Sequence, residues 1–353
     1  MHLASCLIFS TDIAMVFVTG GTGMVGVRLI FDLLTNKNKV VALMRPGSSI
    51  QKFKSQLKFY TTTPDKLMEQ IQWVEGDVLD YEGLLKQIPE NAEVYHCAAF
   101  VSFRKEDRNK ILETNVEGTA NVVNACLQKK VKKLCHVSSI AAIGGKIKGQ
   151  LVDETTPWSA SGKSTYSLSK YYSEMEIWRG IAEGLSAVIV NPAVILGPGI
   201  WNQGSPSFFP LIDNGLKFFT KGTTSYVDVR DVSRAMIFLM KNEAESSRFI
   251  LASETLSYQQ FFSLIADKLK VGQPKIYANR LITGIAWRLI ALASIFTRNT
   301  PQITRQTHRV SHATDSYSGA LFTQTAGFEY TPINQTVDYI ARLYRQSQNE
   351  RAV

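Results

Sequence analysis

Residues 15–35, MVFVTGGTGMVGVRLIFDLLT, constrain this chain more than any other stretch: a short apolar run, a turn holding four glycines, then an amphipathic helix. The apolar run reads as a buried strand, and Val25, Leu29, Ile30, Leu33 and Leu34 recur at helical spacing after the turn. A helix entered this way offers its free N-terminal amides, and the positive end of its dipole, to whatever lies beyond the turn. Phosphate suits that place, so the segment reads as the opening of a dinucleotide-binding βαβ unit. Gly20 allows the tight turn, Gly23 lets the backbone approach a pyrophosphate, and Gly26 lets the helix pack closely on its strand. The literal GxGxxG spacing also fits Gly21, Gly23 and Gly26.

Strand and helix patterns then alternate through KVVALMR, IQWVEGDVLD, EVYHCAAF, a helix near 106–130, KKLCHVSSIAAIGG and AVIVNP. That alternation predicts an α/β fold, a Rossmann-type doubly wound parallel sheet. Where a carboxylate would accept from the ribose 2′-OH of NAD, at the end of the second strand, stands Arg45, nineteen residues beyond Gly26. A guanidinium suits a 2′-phosphate, which favours NADP; NAD is the alternative, with Arg45 then stacking on adenine or facing solvent. His96 and His136 fall in buried strand patterns and read as packed rather than catalytic, and no metal-ligand spacing occurs.

At 353 residues and 45% hydrophobic content the chain can bury a large core plus a smaller second one. The net charge of +9 suits a phosphorylated cofactor, an acidic substrate or a membrane surface, and is too diffuse to argue for nucleic acid. Cys6, Cys97, Cys126 and Cys135 show no CxxC spacing and read as reduced thiols, as expected of a cytoplasmic protein. Residues 1–14 have an apolar patch without a preceding Lys or Arg, which argues against a secretory signal; they are expected to be an unstructured extension or an artefact of an upstream start assignment.

A second pattern bears on chemistry. In STYSLSKYYSEMEIW, Tyr166 and Lys170 lie four apart on a helix and so share a face. An ammonium beside a phenol favours the phenolate and lowers a pKa that starts at about 10, which would suit proton exchange with a carbonyl oxygen. The bland alternative is a solvated helix face.

With TGGTGMVG, GDVLD, HCAA, TNVEGT, VSS, YSLSK, NPAVILGPG and YVDVRDV in order, the chain from Met15 to about Arg345 resembles the extended short-chain dehydrogenase/reductase family, within the NAD-dependent epimerase/dehydratase superfamily. The resemblance implies that Ser139 holds the substrate oxygen, Tyr166 is the acid or base, and Lys170 binds nicotinamide ribose and tunes Tyr166. Ser138 is the less favoured serine. The cofactor would be lined by Gly20, Thr22, Gly23, Met24, Val25 and Gly26, by Arg45, by Asp77 and Val78 near adenine, and by Ala98 and Ala99. Asn115 would act either structurally or in a water relay, and Pro192 would end its strand beneath a loop covering the nicotinamide.

VIVNPAVILGPG looks more like dihydroflavonol reductases and 3β-hydroxysteroid dehydrogenases than like nucleotide-sugar epimerases or dehydratases, which usually carry an arginine before the proline and a VYGP-like turn after it. Phe100, Val101 and Phe103 would give the substrate entrance an apolar lining, unless they are simply core. The implied activity is hydride transfer to or from a small molecule with no nucleic acid partner; a sugar epimerase or dehydratase is the rival, a non-catalytic dinucleotide-binding protein a third reading. A homodimer is common in the family.

The expected organisation is residues 15–197 as the cofactor domain with 224–250 returning to it, 198–223 and 251–330 as a substrate lobe, and 331–353 as a terminal helix and tail. The apolar run Leu281 to Phe296 is interrupted by Arg288 and is too short to span a membrane. A buried or substrate-covering helix is preferred to an amphipathic membrane-contact helix anchored by Trp287, Arg280, Arg288 and Arg298.

Overall fold

The computed structural model describes residues 15–102, 104, 106–144, 151–242, 246–297 and 305–352. The proposed extension at 1–14, Cys6 and Phe103 lie outside them. The apolar run after Met15 forms strand β1 (Met15–Thr19), and helix α1 (Met24–Thr35) follows its turn. Strands β2 (Lys39–Met44), β3 (Ile71–Glu75), β4 (Glu93–His96), β5 (Lys133–Val137) and β6 (Ala187–Pro192) come next.

These six and a seventh strand, Ser247–Leu251, form one parallel sheet in the order Ser247–Leu251, β6, β5, β4, β1, β2, β3. Because strand side chains alternate, each strand feeds two cores. Val16, Val18, Val40 and Ala42 face one layer together with Leu29, Ile30 and Leu33 of α1. Phe17, Val41, Leu43, Leu134 and Ile189 face the other, with Val122, Val123 and Ile177. Burial of each such aliphatic side chain contributes about 1.5–3 kcal/mol, so both layers hold the sheet rigid. Of the helix positions read from the sequence, Leu29, Ile30, Leu33 and Leu34 are buried, Val27 joins them, and Val25 is only half-buried at the mouth of the turn.

Strand order reverses between β1 and β4, which opens a crevice at the carboxyl ends of the strands. The glycine turn, Cys97–Phe100, Ser138–Ser139 and Ala193 all sit on that edge. Helix Val229–Lys241 packs on α1, and Ser247–Leu251 extends the main sheet. The strand before that helix, Thr223–Asp228, instead pairs with Val194–Leu196 and Glu254–Ser257 in a separate three-stranded sheet. A third core, including Trp201, Phe209, Tyr226, Phe261, Ile265, Ile333, Val337 and Ile340, joins this sheet to helix Tyr258–Leu269 and the terminal helix Ile333–Ala352.

Candidate active site

Gly20 has φ +69°, the left-handed region in which a side chain is strained, and a Cβ there would lie 2.5 Å from the Ala98 amide nitrogen. The turn is thereby pressed against the end of β4, where Ala98 N–H donates to Thr19 Oγ1 at 3.2 Å. A Cβ on Gly26 would stand 2.3 Å from Gly20 O, whereas one on Gly23 would meet only Gly20 O at 3.4 Å. Gly26 is therefore closed by protein, and Gly23 is exposed and open.

Gly23 is also the N-cap of α1, and no side chain caps that end. Its first amides face the crevice with a positive dipole end behind them, a cradle that fits a pyrophosphate. Thr22, Met24 and Val25 flank it, half-buried. Arg45 is exposed just past β2, Asp77 is half-buried with its carboxylate accepting from Leu79 N–H at 3.1 Å, and Val78 is buried; Ala98 and Ala99 line the far wall.

Ser139 lies two residues past β5. Extended at φ −167°, it caps a short 3-10 turn, its Oγ accepting from Ala141 N–H at 3.1 Å. Tyr166 and Lys170 occupy the first two turns of helix Thr165–Ala182, which Ser164 caps by accepting from Ser167 N–H. The hydroxyls of Ser139 and Tyr166 share a hydrogen bond. Ser138, by contrast, is buried.

The electrostatics differ from the sequence expectation. Burial raises the Tyr166 pKa above its ordinary value, and the bond to Ser139 is what pulls it down. Lys170 is buried, and its Nζ donates to Val137 O at 2.9 Å. Burial lowers the Lys170 pKa to about 8, with Glu174 opposing the fall. The low-dielectric pocket favours the neutral form of both groups, an effect that sequence spacing does not register.

Glu174 and Asn191 are site residues that sequence reasoning missed. Both are fully buried, and Asn191 Nδ2 bridges the Glu174 carboxylate and Ser139 O, the latter at 3.1 Å. Arg248 approaches Glu174 at 3.6 Å and donates through Nε to Glu154 O at 3.1 Å. One signal was available: Tyr166, Lys170 and Glu174 recur every four residues, so the face bearing the ammonium also bears a carboxylate. Asn191 and Arg248 had none, since they reach the site only through sheet pairing.

Asn115 is buried where the helix begun at Arg108 widens by one turn. Its Oδ1 accepts from Phe100 N–H at 2.7 Å, and its Nδ2 donates to Phe100 O at 3.1 Å and Ser169 Oγ at 3.0 Å. Both amide donors are thus engaged in tying the β4 loop to the tyrosine helix. Pro192 is buried at the end of β6. Val101 is exposed, and Phe100 is half-buried with Lys110 Nζ 4.9 Å from its ring centre.

His96 bonds Thr19 Oγ1 at 2.7 Å and Thr119 Oγ1 at 3.0 Å, and its ring lies tilted, 5.1 Å from that of His136, whose ring nitrogens have no hydrogen-bond partner. Burial holds the His96 pKa down to about 3 and that of His136 well below its ordinary value. Both are neutral core residues. Cys97, Cys126 and Cys135 are free thiols, and among the described residues no cluster could hold a metal ion.

Comparison with known proteins identifies the family and supports the fold. Residues 16–252 match the NAD dependent epimerase/dehydratase family. A putative dihydroflavonol 4-reductase of Synechocystis sp. is 32% identical over 273 residues, covering 73% of this chain and 74% of that protein. Cinnamoyl-CoA reductase CAD2 of Medicago truncatula is 27% identical over 267 residues, covering 71% and 80%. The crystal structure of gox2253 superposes with a TM-score of 0.78 at 25% identity, covering 95% of this chain and 98% of that one. The chain is thus a member of the NAD dependent epimerase/dehydratase family, an enzyme built around an NAD(P) dinucleotide site.

Proposed function

We propose that this enzyme transfers a hydride between NADP(H) and a carbonyl or secondary alcohol of a fairly apolar small molecule. The observation that carries the reading is the hydroxyl pair Ser139 and Tyr166, hydrogen-bonded to each other, with Lys170 one helical turn beyond Tyr166 and its Nζ held by Val137 O. A carbonyl oxygen taking the place between those hydroxyls accepts from both, which polarises it and stabilises negative charge as it develops. When bound, the cofactor supplies the hydride in reduction and takes it in oxidation.

Tyr166 keeps its proton in the resting site because burial raises its pKa. It then passes the proton to the oxygen as charge accumulates there, while Ser139 stays as a donor. Lys170 is held by Val137 O and, by family resemblance, would bind the nicotinamide ribose. Arg45, exposed past β2, would pair with a 2′-phosphate, which favours NADP. Exposed Val101 beside Phe100, and relatives named as dihydroflavonol and cinnamoyl-CoA reductases, favour an apolar carbonyl over a nucleotide sugar.

The test supplies purified protein with NADPH and panels of aldehydes and ketones, with NADP and steroid-like alcohols, and with nucleotide sugars lacking added coenzyme. Net coenzyme turnover is expected in the first two. Sugar conversion without coenzyme, or tight cofactor binding without any turnover, would overturn the reading. Tyr166→Phe should abolish turnover and leave NADPH affinity unchanged; an active Phe variant would defeat the assigned proton donor.

A further inference from the structure

Six large apolar side chains stand exposed on one corner of the C-terminal lobe. Phe218, Ile276 and Tyr277 come from a two-stranded sheet in which Phe218–Phe219 pairs with Ile276–Tyr277. Leu281, Ile282 and Ile285 come from the helix Arg280–Thr297, which begins immediately after it. Leu281 is 77% exposed and Ile285 59%, so the start of this helix is not the buried element that its apolar composition suggests.

Local chemistry sets that orientation. Asn279 caps the helix, its Oδ1 accepting from the amides of Leu281 and Ile282 at 3.0 Å each. On the other face Thr283 Oγ1 bonds His308 Nδ1 and His312 Nε2, both at 2.8 Å, and Gly284 is buried. At helical periodicity, turning 283 and 284 inward turns 281, 282 and 285 outward.

Charge surrounds these side chains. Residues 214–227 and 269–314 hold nine Lys and Arg and no Asp or Glu, which accounts for the whole net charge of +9. The excess looks diffuse along the sequence because the two segments lie far apart; the pairing of Phe218–Phe219 with Ile276–Tyr277 brings the basic residues flanking those strands together. Lys217, Lys221, Lys275, Arg280 and Arg288 are exposed there. Lys221 Nζ and the Arg288 guanidinium sit 4.8 Å from the rings of Tyr277 and Trp287.

We propose that this corner docks on an anionic lipid surface, with Leu281, Ile282 and Ile285 entering the interface and the basic residues meeting headgroups. It lies on the bilayer, since among the described residues no helix is long and apolar enough to cross one. A second copy of this chain would bring two cationic corners face to face, and a nucleic acid would meet the cations but offer nothing to receive the leucine and isoleucines. The proposal holds whichever small molecule the active site takes.

The experiment floats the full chain with vesicles of phosphatidylcholine alone or mixed with phosphatidylserine, at low and high salt. Binding is expected only to the mixed vesicles and should weaken with salt. Lys275→Gln with Arg280→Gln should weaken it about 25-fold, taking roughly 1 kcal/mol, or fivefold, per basic residue near the surface. Leu281→Gln with Ile285→Gln should weaken it at least tenfold. Unchanged melting and NADPH affinity would show that both variants remain folded. No binding to mixed vesicles, equal binding to neutral ones, undiminished binding by the Leu281/Ile285 variant, or a dimer that this variant dissolves would each overturn the proposal.

Discussion

Alanine placed at Gly26 and at Gly23 should separate the packing role of one glycine from the ligand-facing role of the other. The Gly26 Cβ would meet Gly20 O at 2.3 Å, Gly21 Cα at 2.7 Å and Gly20 C at 2.9 Å. All three obstacles are backbone, so no rotamer change relieves them, and α1 must part from the turn by roughly an ångström to restore ordinary contact. Overpacking of that kind costs about 1–3 kcal/mol. Charged to cofactor binding at about 1.4 kcal/mol per tenfold, the same displacement weakens NADPH by about 5- to 150-fold. At Gly23 the Cβ meets only Gly20 O at 3.4 Å, and φ is −81°, so the fold accepts alanine. Stability of Gly23→Ala should stay within about 1 kcal/mol of wild type, while the methyl obstructs a pyrophosphate and affinity falls. Urea unfolding followed by circular dichroism and fluorescence titration with NADPH read the two quantities separately. A Gly26→Ala protein as stable as wild type, or a Gly23→Ala protein that binds NADPH undiminished, would refute the assignment.

Arg45→Asp should weaken NADPH far more than NADH; equal losses in the two titrations would remove Arg45 from 2′-phosphate recognition. Glu174→Gln removes the charge that holds the Lys170 pKa up at about 8, so the alkaline limb of kcat/KM should move to lower pH while NADPH affinity at pH 6.5 changes little; an unmoved profile would separate Glu174 from the site. His96 and His136 have pKa values depressed on folding, so below about pH 6.5 the unfolded chain binds protons that the folded one does not. The stability they contribute is present above pH 6.5 and is lost as pH falls, at up to about 1.4 kcal/mol per pH unit for each histidine. His136→Leu should flatten that slope by one histidine's share in unfolding measured from pH 7 to pH 5.5; an unaltered slope would mean that His136 charges within the fold.

Local pattern was enough for the parts of the site that are contiguous in the chain. The three glycine roles follow from the backbone's need to turn, approach and pack within seven residues, and the structure places a positive φ at Gly20, a closed contact at Gly26 and an open one at Gly23. The parallel sheet likewise follows from β-branched runs separated by amphipathic helices. The pairing of Tyr166 with Lys170 is a consequence of helical periodicity, but its electrostatics are not. Whether an ammonium lowers a phenol's pKa depends on burial and on which acceptor the ammonium meets, and here Val137 O, Ser139 and the low-dielectric pocket determine that.

What the sequence by itself determined about this protein is therefore its layered architecture, its glycine turn and the helix that carries Tyr166 and Lys170, because each is encoded within one or two turns or strands. Only tertiary structure decided which groups stand behind and beside them. Asn191 and Arg248 come to Glu174 through neighbouring parallel strands, and Asn115 is tied to Ser169 across 54 positions. The cationic apolar corner exists only because two distant segments pair as strands. Interactions of that range depend on sheet order and on burial, and neither quantity is a property of any local stretch of chain.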